Sequence, residues 1–183
     1  MNRRRLQLVL AVGVMSLLAA VGVAVATGGR DIRERLSGYE EVPTLSSPAS
    51  GEFKARLDRF DDEIDWRLSY RGFDSDVTQA HIHFGARATN GGITVWLCRT
   101  TQTAPEGTAT CPAREGTISG TIEADDVVPP SANNVPQGIA AGDFEAFVDA
   151  LRAGVTYANV HSVNRPPGEI RAQLAEDDDD DRH

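Results

Sequence analysis

From Glu52 to Leu174 the chain keeps returning to a period-two alternation of apolar and polar residues, and this constrains its fold more than any other feature. Phe53, Ala55 and Leu57 alternate with Glu52, Lys54, Arg56 and Asp58, and Ile64, Trp66, Leu68 and Tyr70 with Asp65, Arg67, Ser69 and Arg71. Successive side chains of a strand point to opposite faces, so each run gives a strand with one buried face. The intervening Arg59-Phe60-Asp61-Asp62 suits a hairpin connection. Further strands are expected over 78–84, 93–98, 116–124, 155–161 and 169–174, with glycine and proline between them at Gly85, Gly91-Gly92, Gly107, Gly154 and Pro166-Pro167-Gly168. One segment differs. Phe144, Phe147, Val148 and Leu151 recur at helical spacing, with Asp143 placed to cap and Gly154 to stop a short amphipathic helix. The stretch 127–142, rich in Pro, Asn and Ser, reads as a long loop of the kind that carries function or moves. Seven to eight short strands with turns between them predict an all-β Greek-key sandwich with one short helix.

The ends read differently from the middle. Arg3-Arg4-Arg5 precedes an apolar run from residue 6 to 26 that closes on Ala24-Val25-Ala26. A basic start, an apolar centre and an A-x-A end form a secretory signal over 1–26; the alternative is a retained anchor, because a helix over residues 6–26 is long enough to span a bilayer. Either way the rest is expected to be secreted or extracytoplasmic, touching a membrane only through an uncleaved leader. Beyond that leader, fifteen basic residues face twenty-seven acidic ones. That balance disfavours nucleic acid and anionic lipid as partners. Glu176 to Asp181 is an unbroken run of carboxylates, and 175–183 is expected to be a disordered acidic tail.

Two cysteines, Cys98 and Cys111, are most simply a disulfide in an oxidising compartment, closing a turn-rich loop. They lie too far apart, without nearby histidines, for a metal role. The four histidines are more informative. His183 is terminal; His81 and His83 share one strand face in Ala80-His81-Ile82-His83-Phe84, and His161 shares a face with Asn159 and Tyr157 in the strand over 155–161. If those strands are neighbours, three imidazoles meet in a copper or zinc ligand set, with Asn159 and Tyr157 placed to orient the rings. The other reading is a set of imidazoles hydrogen-bonded to backbone or carboxylates, binding nothing. No G-x-S-x-G elbow, Walker loop or H-E-x-x-H motif is present. Ser162 faces away from its neighbour His161, Asp61-Asp62 and Asp125-Asp126 suit turns, and no aromatic stripe forms a carbohydrate platform; Trp66 and Trp96 are expected in the core.

Three segments, in order, resemble the CHRD domain, the module first named in chordin. Leu36-Ser37-Gly38-Tyr39-Glu40-Glu41-Val42-Pro43 is similar to its L-x-G-x-x-E-V-P opening, Ala80-His81-Ile82-His83 to its A-H-I-H strand, and Tyr157-Ala158-Asn159-Val160-His161-Ser162 followed by Gly168-Glu169-Ile170-Arg171-Ala172-Gln173-Leu174 to its Y-x-N-V-H-[TS] and G-E-I-R-G-Q-[LI] close. Phe84 stands where the family usually begins Gly-Pro, and Ala172 replaces a common Gly. The resemblance covers 36–174 and implies an extracellular β-sandwich; the growth-factor role known in animals is not carried over, since no cysteine-rich repeats accompany the domain. His81-Ile82-His83-Phe84-Gly85 also resembles part of the H-V-H-x-F-G strand of copper/zinc superoxide dismutases, although three internal histidines fall short of that family's ligand set. Two readings follow. In the first the chain is a non-enzymatic exported module that binds or scaffolds an extracellular or cell-surface partner of undefined chemistry. In the second it is a copper- or zinc-binding, superoxide dismutase-like protein using His81, His83 and His161.

Overall fold

The computed structural model describes residues 31–100 and 104–175. The expected leader over 1–26, His183 and the acidic run from Glu176 onward lie outside the described residues. Ten strands and one helix follow in chain order: β1 (Asp31–Ser37), β2 (Ser50–Leu57), β3 (Ile64–Arg71), β4 (Val77–Phe84), β5 (Gly92–Arg99), β6 (Gly116–Ile122), β7 (Ser131–Ala132), β8 (Val135–Pro136), α1 (Phe144–Arg152), β9 (Thr156–Ser162) and β10 (Ile170–Leu174). The all-β reading with one short helix holds. The two layers expected of a sandwich are the two halves of one antiparallel sheet, ordered β5-β4-β9-β10-β1-β2-β3-β6, which curls until its ends meet. Tyr70 of β3 donates its hydroxyl to the Pro112 carbonyl, near that closure. Within the sheet, β10-β1-β2-β3 has the Greek-key order: a meander of three strands, and a later strand returned beside the first.

The inner face carries the apolar half of the alternation. Phe53, Leu57, Ile64, Leu68, Ile82 and Val160 are buried in one cluster. The helix adds Phe144, Phe147, Val148 and Leu151, and Asp143 caps it by accepting the Ala146 amide proton. Two elements depart from the sequence expectation. β1 was not visible as a strand because Glu34 interrupts the apolar row of Ile32 and Leu36. The loop 127–142 contains a minimal hairpin, β7–β8, turned by Asn133 and Asn134 at φ 52° and 63°. Two successive left-handed residues are the backbone of a type I′ turn, which asparagine tolerates. Trp66 is in the core as expected, whereas Trp96 is only half-buried and lies over His81. A bulge causes this: between Ala80 and His81 the β5 partner jumps from Cys98 to Trp96, which places Trp96 on the outer face beside the imidazole.

Cys98 and Cys111 form a disulfide with Cα atoms 5.0 Å apart. It ties the end of β5 to the approach to β6, the two terminal strands of the sheet, where its ends meet. Replacing both cysteines with alanine should destabilise the domain by about 3 kcal/mol, the loop-closure entropy of so short a loop. Denaturant unfolding with and without reductant reads this directly; coincident curves would show that the bridge contributes nothing.

Candidate metal centre

β9 and β10 depart from simple alternation because both their faces are buried. Their inner residues enter the core. Their outer residues, Tyr157, Asn159, His161, Arg171 and Gln173, are polar and lie under covering loops. Those loops are the segment after β1, the β4–β5 connection and the β9–β10 connection. The result is a second, polar interior between sheet and loops.

The three internal histidines sit in this layer. β4 pairs with β9, placing His81 opposite Asn159 and Gln79 opposite His161. The rings of His81, His83 and His161 are buried, at 0, 8 and 5 % exposure. One nitrogen from each lies within 4.8 Å of the others. His83 Nδ1 is 3.0 Å from the Gly91 carbonyl, and His161 Nδ1 is 2.9 Å from the Pro166 carbonyl. A carbonyl only accepts, so both rings carry their proton on Nδ1 and turn an Nε2 lone pair inward. His81 Nδ1 lies 3.2 Å from His161 Nε2, while among the described residues His81 Nε2 and His83 Nε2 have no hydrogen-bond partner. Two buried, unpartnered imidazole nitrogens are costly in a folded interior unless something meets them. Tyr157 stacks on His83 at 4.8 Å with the planes 3° apart, and Trp96 packs edge-on against His81 at 4.2 Å. These contacts fix the ring planes.

Burial holds all three imidazoles neutral. It pushes His83 down to about 3 and His161 down to about 4, and drives His81 lower still, with the neighbouring imidazoles adding to it at His81. Neutral imidazole is the form that ligates a metal.

Beyond Asn159 and Tyr157, the sequence did not single out the groups that frame this cluster. Asn159 Nδ2 donates to Glu41 Oε1 at 2.7 Å and to the Ile170 carbonyl at 3.1 Å. Glu41 is buried, and that burial raises its carboxyl to about 7 against the pull of Asn159 and Arg171. Ser162 donates a hydrogen bond to Glu169, whose other oxygen accepts from Ser47 at 2.7 Å. The Arg171 guanidinium covers the outer side of Tyr157, 3.4 Å from the ring centroid, and donates to the Thr89 carbonyl. Gly168, at φ 137°, has no room for a side chain: a Cβ there would sit 2.7 Å from Asn159 Oδ1 and 2.9 Å from Glu41 Oε1. Most of these residues lie in the opening and closing motifs, so those motifs mark the polar interior. Tyr157 touches the cluster directly by stacking on His83, whereas the side-chain amide of Asn159 donates to Glu41 and the Ile170 carbonyl rather than to an imidazole.

The geometry defines an antiparallel β domain with a loop-covered imidazole cluster on the outer face of its sheet. The CHRD domain family model matches residues 32–174, and the chain belongs to that family. No curated protein and no solved structure matches the chain.

The pH dependence of the metal-free form follows from these groups. The histidines have folded values below the ordinary 6.5, so the unfolded chain binds more protons below that pH. Their stabilisation is complete above about pH 6.5 and is lost as the pH falls toward 3. Glu41 acts oppositely: raised from 4.5 to about 7, its contribution is present below 4.5 and lost as the pH rises through 7. Several histidines outweigh one carboxyl, so acidification from pH 7 to 4 in chelator should cost a net few kcal/mol, on the order of two shifted groups. Glu41→Gln should steepen that loss and raise stability at pH 8. A flat profile in thermal unfolding, or identical profiles for the two proteins, would contradict these assignments.

Proposed function

We propose that this CHRD domain binds one copper or zinc ion on His81, His83 and His161 and acts as an exported metal-holding module. The observation that carries the reading is the inward Nε2 of His83, buried and unpartnered on a ring whose Nδ1–H is pinned to the Gly91 carbonyl. Ligating histidines characteristically donate their second nitrogen in this way, which sets tautomer and ring orientation before the ion arrives. His161, pinned to Pro166, repeats the arrangement.

Distances support it. Two nitrogens about 2.0–2.1 Å from one tetrahedral ion lie roughly 3.3 Å apart. His81 Nδ1 and His161 Nε2 are 3.2 Å apart, close to that separation, so an ion would take the place of the hydrogen bond between them; the widest gap, 4.8 Å, has to narrow on binding. Three imidazoles suit copper or zinc rather than calcium or magnesium, and leave a fourth position open. Placement outside the cytoplasm is supported by the leader-like sequence over 1–26 and by the disulfide.

Protein stripped with chelator should take up one equivalent of Zn²⁺, and Cu²⁺ more tightly, as the affinity order for such sites requires. The His81→Ala/His83→Ala variant should lose that uptake while keeping its β-type circular dichroism. His83→Ala alone should weaken it by at least about 100-fold, beyond what changes to outer partners cause. Equal metal content in wild type and folded double variant would remove the proposal and leave a hydrogen-bonded histidine cluster with a packing role.

A further inference from the structure

The other half of the sheet presents a different outer face. On β1, β2, β3 and β6 the outward residues are polar and are not covered as those of β9 and β10 are. The register sets them in rows across the strands. Arg33 faces Lys54, Lys54 faces Arg67, and Arg67 faces Ser119; one step along, Arg35, Glu52, Ser69 and Thr117 align. Counting Arg56 and Arg71, the strands themselves set six cations against three anions, Asp31, Glu52 and Asp65, a charge of +3 within the strand bounds on a chain whose net charge is −9.

The three acids are already engaged. Glu52 pairs with Lys54 at 2.7 Å, Asp31 with Arg56 at 3.7 Å, and Asp65 accepts the Thr121 hydroxyl at 3.1 Å. Among the described residues, Arg67 and Arg71 make no ion pair or side-chain hydrogen bond, and Arg33 and Arg35 act only at longer range, on Glu52, which Lys54 already holds. Like charges directly opposite on paired strands destabilise a sheet, so the row Arg33–Lys54–Arg67 costs stability that a bound anion would return. An open groove of about 940 Å³ adjoins the row, lined by Arg35, Ser37, Glu52, Arg71, Glu115 and Thr117 among others, so that Arg35 and Arg71 meet two carboxylates there and the excess of cations lies in the row itself.

We propose that this basic face docks a carboxylate-bearing polysaccharide with one acidic group per sugar ring. Adjacent strands lie about 4.8 Å apart, so the cations Arg33, Lys54 and Arg67 on β1, β2 and β3 meet a chain that offers one carboxylate per ring. Arginine receives carboxylate through paired hydrogen bonds, and the serine and threonine hydroxyls between the cations suit sugar hydroxyls. The rows carry no aromatic or apolar side chain, which speaks against stacked nucleobases and against insertion into a lipid surface. Charge and hydroxyl pairing replace the aromatic platform that the sequence lacks.

The probe is polygalacturonate, immobilised, against the full chain in chelator, so that neither a bound metal nor bridging calcium contributes. Binding is expected at low salt and should weaken as salt rises. Arg33→Ser/Arg67→Ser, both on the surface, should weaken it at least about tenfold. Arg87→Ser, elsewhere on the surface, should leave it unchanged, and fully methyl-esterified polymer should not bind. The inference is overturned by absent binding, by equal loss in Arg87→Ser, or by equal affinity for duplex DNA or anionic vesicles. It is also overturned if the polymer binds only once the acidic residues 176–181 are removed, since the chain's own carboxylates would then be the occupant. His81→Ala/His83→Ala should bind the polymer like wild type, which separates this site from the metal proposal.

Discussion

The pairing of β4 with β9 is the constraint on which the rest of the site depends. It joins strands far apart in sequence and sets Gln79 against His161 and His81 against Asn159. A slip of one residue would turn every side chain of one strand to the other face. Ile82 would leave the core and the imidazoles would enter it. The register is therefore held by the apolar half of the same two strands, Ala80 and Ile82 against Val160 and Ala158, all fully buried. The cluster is assembled by hydrophobic packing on the face it does not occupy.

A polar interior carries an obligation that an apolar one lacks. Each buried donor or acceptor must find a partner or lose about 1–3 kcal/mol. In this layer most do: Asn159 and Glu41 satisfy one another, Glu169 accepts two hydroxyls, and Gln173 donates to the Gly85 and Gly154 carbonyls. Against that background the bare Nε2 atoms of His81 and His83 stand out. The surroundings also set chemistry. Burial makes the imidazoles neutral ligands, while Arg171 and Tyr157 form a cationic and aromatic wall beside His83.

Much of the architecture was legible in the sequence because one physical rule, alternation, governs β2, β3 and β6. The helix was equally plain from the spacing of Phe144, Phe147, Val148 and Leu151, and Cys98 with Cys111 from their number alone. The three histidines could be grouped because strand spacing puts two on one face and the closing motif supplies the third. Other features were hidden for definable reasons. β1 breaks the apolar row at Glu34, and Trp96 reaches the outer face only through a bulge whose register depends on the partner strand. Arg171 and Gln173 look like solvent-facing strand residues until loops cover them. The carbonyls of Gly91 and Pro166, which fix the imidazoles, belong to backbone and leave no trace in residue type.

The imidazole cluster depends on the tautomers of His83 and His161, because only a proton on Nδ1 directs both Nε2 lone pairs inward. Long-range ¹⁵N–¹H correlation spectra of the histidine rings in metal-free protein at pH 7 report them directly. The expected result is two neutral rings protonated at Nδ1, whose Nε2 resonances shift on addition of one equivalent of Zn²⁺. Protonation at Nε2 in either ring, or imidazolium in both, would contradict it.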